Sequence, residues 1–164
     1  MSAGPAAGDG TAREGAGNER DQAPHRTPPV PPGVVVGLRA TARAEVTDSD
    51  TAAALGSGDV PVLGTPRLLA LAEAAAVAAI APVLGEDQTS VGTAVSLEHK
   101  RPSRIGAEIE VEAELSEITG RRLVFVFIAY GEGAGEDAVI GAGSIERVLV
   151  DREHFVAAAN AGAG

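Results

Sequence analysis

One run of sequence limits the folds open to this chain more than any other: TPRLLALAEAAAVAAIAP, beginning at Thr65. Thr65 stands in the N-cap position and Pro66 at the first helical position, where a missing N–H costs nothing; good helix formers continue to Pro82. The predicted helix is apolar nearly all round. Such a helix is wrapped by the rest of its fold rather than laid on a surface, and its alanines let neighbouring backbone come close. Between Arg67 and Glu86 it carries one charged residue, Glu73.

The wrapping material is written as strands. From Val34 apolar and polar residues alternate, with Val36, Leu38, Ala40, Ala42, Ala44 and Val46 on one face. A loop from Thr47 to Gly64 leads to the helix, longer than most connections in a compact domain. Four strand patterns follow, over Thr89 to Lys100, Ala107 to Ile118, Arg122 to Tyr130 and Ala138 to Val150, linked by short hairpins. In the second, Ile109, Val111, Ala113 and Leu115 oppose Glu108, Glu110, Glu112 and Glu114. The third, RLVFVFIAY, is apolar on both faces, as a central strand would be. This order implies an α+β fold, a curled antiparallel five-stranded sheet around one long central helix.

Residues 1–32 hold Gly, Ala, Pro and charge with almost nothing to bury, so a disordered tail is expected there, ending in the stiff spacer PPVPPG. The folded domain is expected over 33–156 and a flexible end over 157–164. The start of the chain reads as neither signal peptide nor membrane anchor, which makes a cytoplasmic protein the default expectation. A formal charge of -10 disfavours a nucleic-acid partner, and aromatics at 2% rule against stacking platforms for bases. Cysteine is absent, which excludes thiolate nucleophiles and cysteine-based zinc sites. No metal site is expected either, because His25, His99 and His154 form no pair at ligand spacing. The richness in Ala and Gly points to a GC-rich bacterial genome.

Three residues invite a chemical reading beside a structural one. Glu73 either sits on an exposed helix edge or in an ion pair, or it is a carboxylate kept in an apolar groove for chemistry. Thr65 is either an ordinary cap or a hydroxyl at a helix end suited to a bound carbonyl. In SVGTAVSLEHK, reading every second residue from Val91 puts His99 on a face with Thr93, Val95 and Leu97; it is either a core histidine or one reaching a cleft from a strand end. The segment KRPSR adds Lys100, Arg101 and Arg104, an anion patch or a solvated hairpin. Gly141 and Gly143 lie within a strand pattern and are not read as a phosphate loop.

The runs GTPRLLALAEAAAVAAIAPVL, SVGTAVSLEHKRPSRIGAEIEVEAELSEITGRRLVFVFIAYG and GAGSIERVLVDREHF resemble the fluoroacetyl-CoA thioesterase-like family of hotdog-fold proteins, over roughly Val34 to Phe155. The resemblance implies a homodimer whose sheets join and whose active sites lie at the interface. It implies cofactor-independent hydrolysis of an acyl-CoA or acyl-carrier thioester by Thr65, Glu73 and His99. Gly92 would offer backbone near the thioester, and Arg147 would help shape the substrate pocket; beside these, the basic patch of Lys100, Arg101 and Arg104 is taken from its charge as a further substrate contact. Two positions depart from the family: Thr47 to Gly64 holds no aromatic lid residue, so selection for a fluorinated acyl group is not expected, and Ile145 replaces a family histidine. A non-catalytic acyl-CoA-binding module, and after it a hotdog hydratase or dehydratase, are the competing readings.

Overall fold

The computed structural model describes residues 28–133 and 135–162. The expected disordered tail over residues 1–27 therefore lies outside the described residues. What precedes Gly33 among the described residues is engaged with the fold: Val30 packs against the core and the Pro29 carbonyl accepts a hydrogen bond from Gln88 Nε2 at 2.8 Å.

Five antiparallel strands, β1 (Arg39–Glu45), β2 (Gln88–His99), β3 (Glu108–Thr119), β4 (Arg122–Tyr130) and β5 (Val139–Asp151), form one sheet in the order β1-β3-β4-β5-β2. Two short segments precede the long helix: a 3₁₀ turn, Asp48–Asp50, and α1 (Ala52–Leu55). The long helix, α2 (Thr65–Ile80), packs mainly against β1 and β3, and α3 (Arg152–Ala161) follows β5. Residues 157–161, read as a flexible end, lie within α3, whose first turn is capped by Asp151 accepting from the His154 N–H.

The glutamate-rich strand behaves as its pattern predicts. Ile109, Val111, Ala113 and Leu115 are buried against α2, while Glu110, Glu112 and Glu114 face outward, where Arg39 and Arg43 of β1 pair with them. β4 is central, with Leu123, Phe125 and Phe127 in the core; its outer residues Val126 and Ile128 stay exposed, because nothing among the described residues covers the convex face.

Three expectations are corrected. The first strand starts at Arg39, because Gly37 turns the chain with φ at +96° and leaves Val36 exposed while Val34 is buried. Only β3–β4 and β4–β5 are joined as hairpins: β2 pairs with β5, and the KRPSR segment crosses the end of the sheet to reach β3. Finally, α2 is not enclosed on all sides. Leu68, Leu71, Ala72, Ala75, Ala76, Ala79 and Ile80 are buried, but Pro66, Ala70, Ala74, Val77 and Ala78 form an exposed, almost wholly apolar stripe. The span Thr65–Val83 is long and apolar enough to cross a membrane by composition, yet its inner face is the packing surface of this sheet.

β5 contains the two glycines of GAGS, and their lack of a side chain has a steric purpose. A Cβ on Gly141 would lie 2.7 Å from the Glu98 carbonyl oxygen and 3.1 Å from Leu68 Cδ2; one on Gly143 would collide with the Ser96 carbonyl of β2. Gly143→Ala should therefore force β2 away from β5 and destabilise the protein by about 3 kcal/mol. A urea titration checks this: the midpoint should fall markedly, and an unchanged midpoint would contradict the close approach.

Candidate active site

Helix α2 and edge strand β2 run side by side, and the candidate residues lie along their shared seam in two clusters. At one end the Thr65 hydroxyl lies 3.0 Å from His99 Nδ1. This contact corrects the expected cap. Gly64 is the N-cap and Thr65 the first helical residue, so the hydroxyl is turned to the imidazole instead of to the helix N–H groups. Burial lowers the His99 pKa from its ordinary 6.5, with a backbone interaction at Arg101 acting the other way, so the ring is neutral at pH 7 and can accept a proton. Its Nε2 is buried and has no hydrogen-bond partner within the protomer.

The lowered value carries a stability consequence. Below pH 6.5 the unfolded chain takes up a proton at His99 that the folded chain resists, so stability falls as pH drops through this window; above it the group contributes nothing. Thermal melting at pH 7.5 and pH 5.5 should show a larger loss for the wild type than for His99→Gln. Equal losses would place the titration elsewhere.

At the other end Glu73 meets Arg147, whose Nη1 donates to Glu73 Oε1 at 2.9 Å. The rest of the guanidinium fork is used as well: Nε donates to Ser90 Oγ and Nη2 to the Ser90 carbonyl, both at 2.8 Å. Arg147 is 6% exposed. Burial pushes its pKa down, and the Glu73 carboxylate opposes that shift. The sole charge in the apolar part of α2 is thus compensated, and its carboxylate is held in one orientation by a planar donor that is itself fixed on β5. Gly92 stands directly over the carboxylate: a Cβ there would be 2.5 Å from Glu73 Oε1 and 3.7 Å from Arg147 Nη1. Ser90, which no sequence pattern singled out, completes this cluster; its hydroxyl is buried and its position on the seam follows only from the pairing of β2 with β5.

A bulge between Gly92 and Ala94 decides which β2 residues face the helix. Gly92 pairs with inward-facing Arg147, Ala94 with outward-facing Glu146, and Val95 with buried Ile145, since residues opposite one another share a face. Ser90, Gly92, Val95, Leu97 and His99 thereby look inward, and Val91 does not. The period read from Val91 is corrected accordingly. Ile145 is a wholly buried core residue.

The three bases of KRPSR are each matched to an acid: Lys100 to Glu98 at 2.9 Å, Arg101 to Asp137 at 2.7 Å, and Arg104 to Glu132. Lys100 and Arg101 line the cleft of about 290 Å³ that holds Thr65 and His99; Arg104 opens onto a neighbouring one with Ser103. Among the described residues no group of three or more His, Cys, Asp or Glu side chains gathers in a geometry for a metal ion.

The model of one protein family, described as fluoroacetyl-CoA-specific thioesterase (FlK), matches residues 46–153, more than half of the chain. The chain belongs to this family. The curated fluoroacetyl-CoA thioesterase of Streptantibioticus cattleyicolor is 36% identical over 94 residues, 57% of this chain and 65% of the relative, so the match spans somewhat less than two thirds of that protein. The solved structure of the fluoroacetyl-CoA thioesterase FlK superposes with a TM-score of 0.71 at 30% identity, covering 80% of this chain and 99% of that one. A variant of that enzyme in complex with acetyl-CoA gives 0.72 at 29% identity, over 79% and 99%. The hotdog fold implied by the resemblance is the fold observed, with the sheet curled over α2.

Within one protomer the two clusters stand apart. Thr65 and Glu73 are separated by about 12 Å along the helix axis, and Gly92 and His99 by about 20 Å along the strand. Neither a carboxylate without the imidazole nor an imidazole without the carboxylate makes a complete acid–base site.

Proposed function

We propose that this protein is an acyl-CoA thioesterase whose site is completed across a homodimer, with Glu73 and Gly92 of one subunit facing Thr65 and His99 of the other. The observation that carries this reading is the seam itself, which holds two complementary half-sites along an exposed edge strand. β2 lies at the edge of the sheet; Val95 is 50% exposed, and beside it runs the apolar stripe of α2. An uncovered edge of this kind is a template for pairing with another chain. Antiparallel pairing of two β2 strands about an axis near Val95 and Ser96 sets Gly92 opposite the partner's His99. It also supplies a setting for the otherwise unpartnered His99 Nε2.

In this arrangement the thioester carbonyl lies by Gly92, whose missing side chain lets the Glu73 carboxylate come up against the β2 backbone. Glu73 takes the proton of the attacking water as its oxygen bonds to the carbonyl carbon, that proton passes to the neutral imidazole of the partner subunit's His99, held by its Thr65, and the imidazolium returns it to the thiolate as the carbon–sulfur bond breaks. The residues present supply every proton transfer, so the reading is cofactor-independent. The family membership supports an acyl-CoA substrate, and the cytoplasm is the compartment the reading assigns. The aromatic-free segment Thr47 to Gly64 supports an acyl preference other than fluoroacetyl.

Release of thiol from a panel of acyl-CoAs, from acetyl and fluoroacetyl to long-chain and aryl, tests the activity. Turnover of one acyl class is the expected result. Ligand-dependent thermal stabilisation without turnover would instead select the binding module. The shared site has its own test: Glu73→Gln and His99→Gln subunits, each inactive alone, should recover thiol release when mixed and allowed to exchange. Val95→Arg should leave a species of 16.4 kDa by light scattering, with activity lost. Activity from that monomer would contradict the shared site.

A further inference from the structure

Below Glu73 the exposed stripe of α2 continues into a concave pocket of about 250 Å³. Val77 lies one turn on from Glu73 and Ala81 one turn beyond that, so the pocket begins about 6 Å from the carboxylate along the axis. Val77, Ile80, Ala81 and Leu84 give it an aliphatic lining, and Glu86, Ser90 and Arg152 are among its polar residues. Ser90 is also the residue that holds Arg147 against Glu73, so pocket and carboxylate cluster share a wall.

We infer that this pocket receives the hydrocarbon tail of the acyl group, and that the preferred substrates are straight-chain acyl-CoAs of medium length. The inference rests on the thioesterase reading for the position of the thioester at Glu73 and Gly92. The lining decides which part of the substrate goes here. Val77, Ile80, Ala81 and Leu84 offer an alkyl chain aliphatic carbon beside the Glu73 cluster, and the acid Glu86 and the base Arg152 in the same lining leave no net charge to draw a phosphate. Size sets the length. At about 30 Å³ for a water-sized group, the space holds about eight methylene-sized units. An acetyl or fluoroacetyl group would leave it unfilled.

The experiment measures binding and turnover separately. Calorimetry with S-alkyl-CoA thioethers, from ethyl to dodecyl, reads pocket occupancy without hydrolysis; kcat/KM for the matching acyl-CoAs reads the reaction. Each methylene is expected to improve both by about four-fold, the equivalent of about 0.8 kcal/mol, up to roughly eight carbons, with no gain beyond. Ala81→Phe fills the pocket and should cut the octanoyl-to-acetyl ratio of kcat/KM at least ten-fold and flatten the thioether series. Its melting temperature identifies any variant that fails to fold, and Val77→Met, a smaller intrusion, should shift the preferred length down by one or two carbons. Affinities independent of chain length, or selectivity untouched by Ala81→Phe, would overturn the acyl-pocket assignment even if thiol is released. A rising thioether series without any thiol release would uphold the pocket and overturn the hydrolase reading.

Discussion

Glu73→Gln should reduce kcat/KM for thioester hydrolysis by about 10²–10⁴-fold while leaving the protein folded. The amide keeps the shape of the carboxylate, and its carbonyl oxygen can still accept the 2.9 Å hydrogen bond from Arg147 Nη1. What it loses is the capacity to take a proton from water and the negative charge opposite the guanidinium. The Glu73 side chain is 37% exposed, so the lost ion pair is partly screened and the melting temperature should move by only a few degrees. Thiol release and thermal melting on the same preparation decide between the two readings open to this residue. Turnover at the wild-type level would return Glu73 to a purely structural ion pair.

Arg147→Met should have the largest effect on stability among substitutions at the site. Its guanidinium donates to Glu73 Oε1, Ser90 Oγ and the Ser90 carbonyl, and the residue is nearly all buried. With one partner removed, Glu73 can regain water through its exposed side, but the Ser90 groups are inside the protein and left without a donor. The cost therefore falls chiefly on those two acceptors, about 2–3 kcal/mol, rather than on a fully stranded ion pair. Urea titration should show this loss together with a fall in kcat/KM exceeding that from stability alone, because Glu73 is no longer aimed beneath Gly92. Arg147→Lys should recover little of either, since an ammonium cannot reproduce a fork that spans the helix and the neighbouring strand. Full recovery by lysine would mean that charge alone matters here, not geometry.

The elements legible in the sequence were those fixed by local pattern. The helix was legible because Pro66 and a run of alanines and leucines have few alternatives, and β3 because four glutamates alternate with four buried aliphatics. Glu73, Thr65 and His99 were visible as odd residues in otherwise apolar surroundings. Ser90 was not, because a serine in a strand carries no signal until its neighbour is known. The hairpin expected around KRPSR failed for a similar reason: a basic turn-forming segment looks the same whether the strands it joins are neighbours or stand near opposite edges of a sheet.

By itself, then, the sequence determined the long helix and the five strand segments, though not the short helices α1 and α3, that the long helix must be covered by a sheet, and that one carboxylate would need a partner within it. Those outcomes follow from side-chain period, capping and the cost of desolvating charge, all of which act over a few residues. Only the tertiary structure decided that the partner is Arg147, far along the chain on β5, and that Thr65 turns to His99 instead of capping its helix. It also decided, through one bulge at Gly92, that an even-numbered glycine and an odd-numbered histidine share the inner face of β2. A bulge adds a residue to one strand without a distinctive residue type of its own, so the register across it is set by packing against β5 and α2 and not by the local pattern.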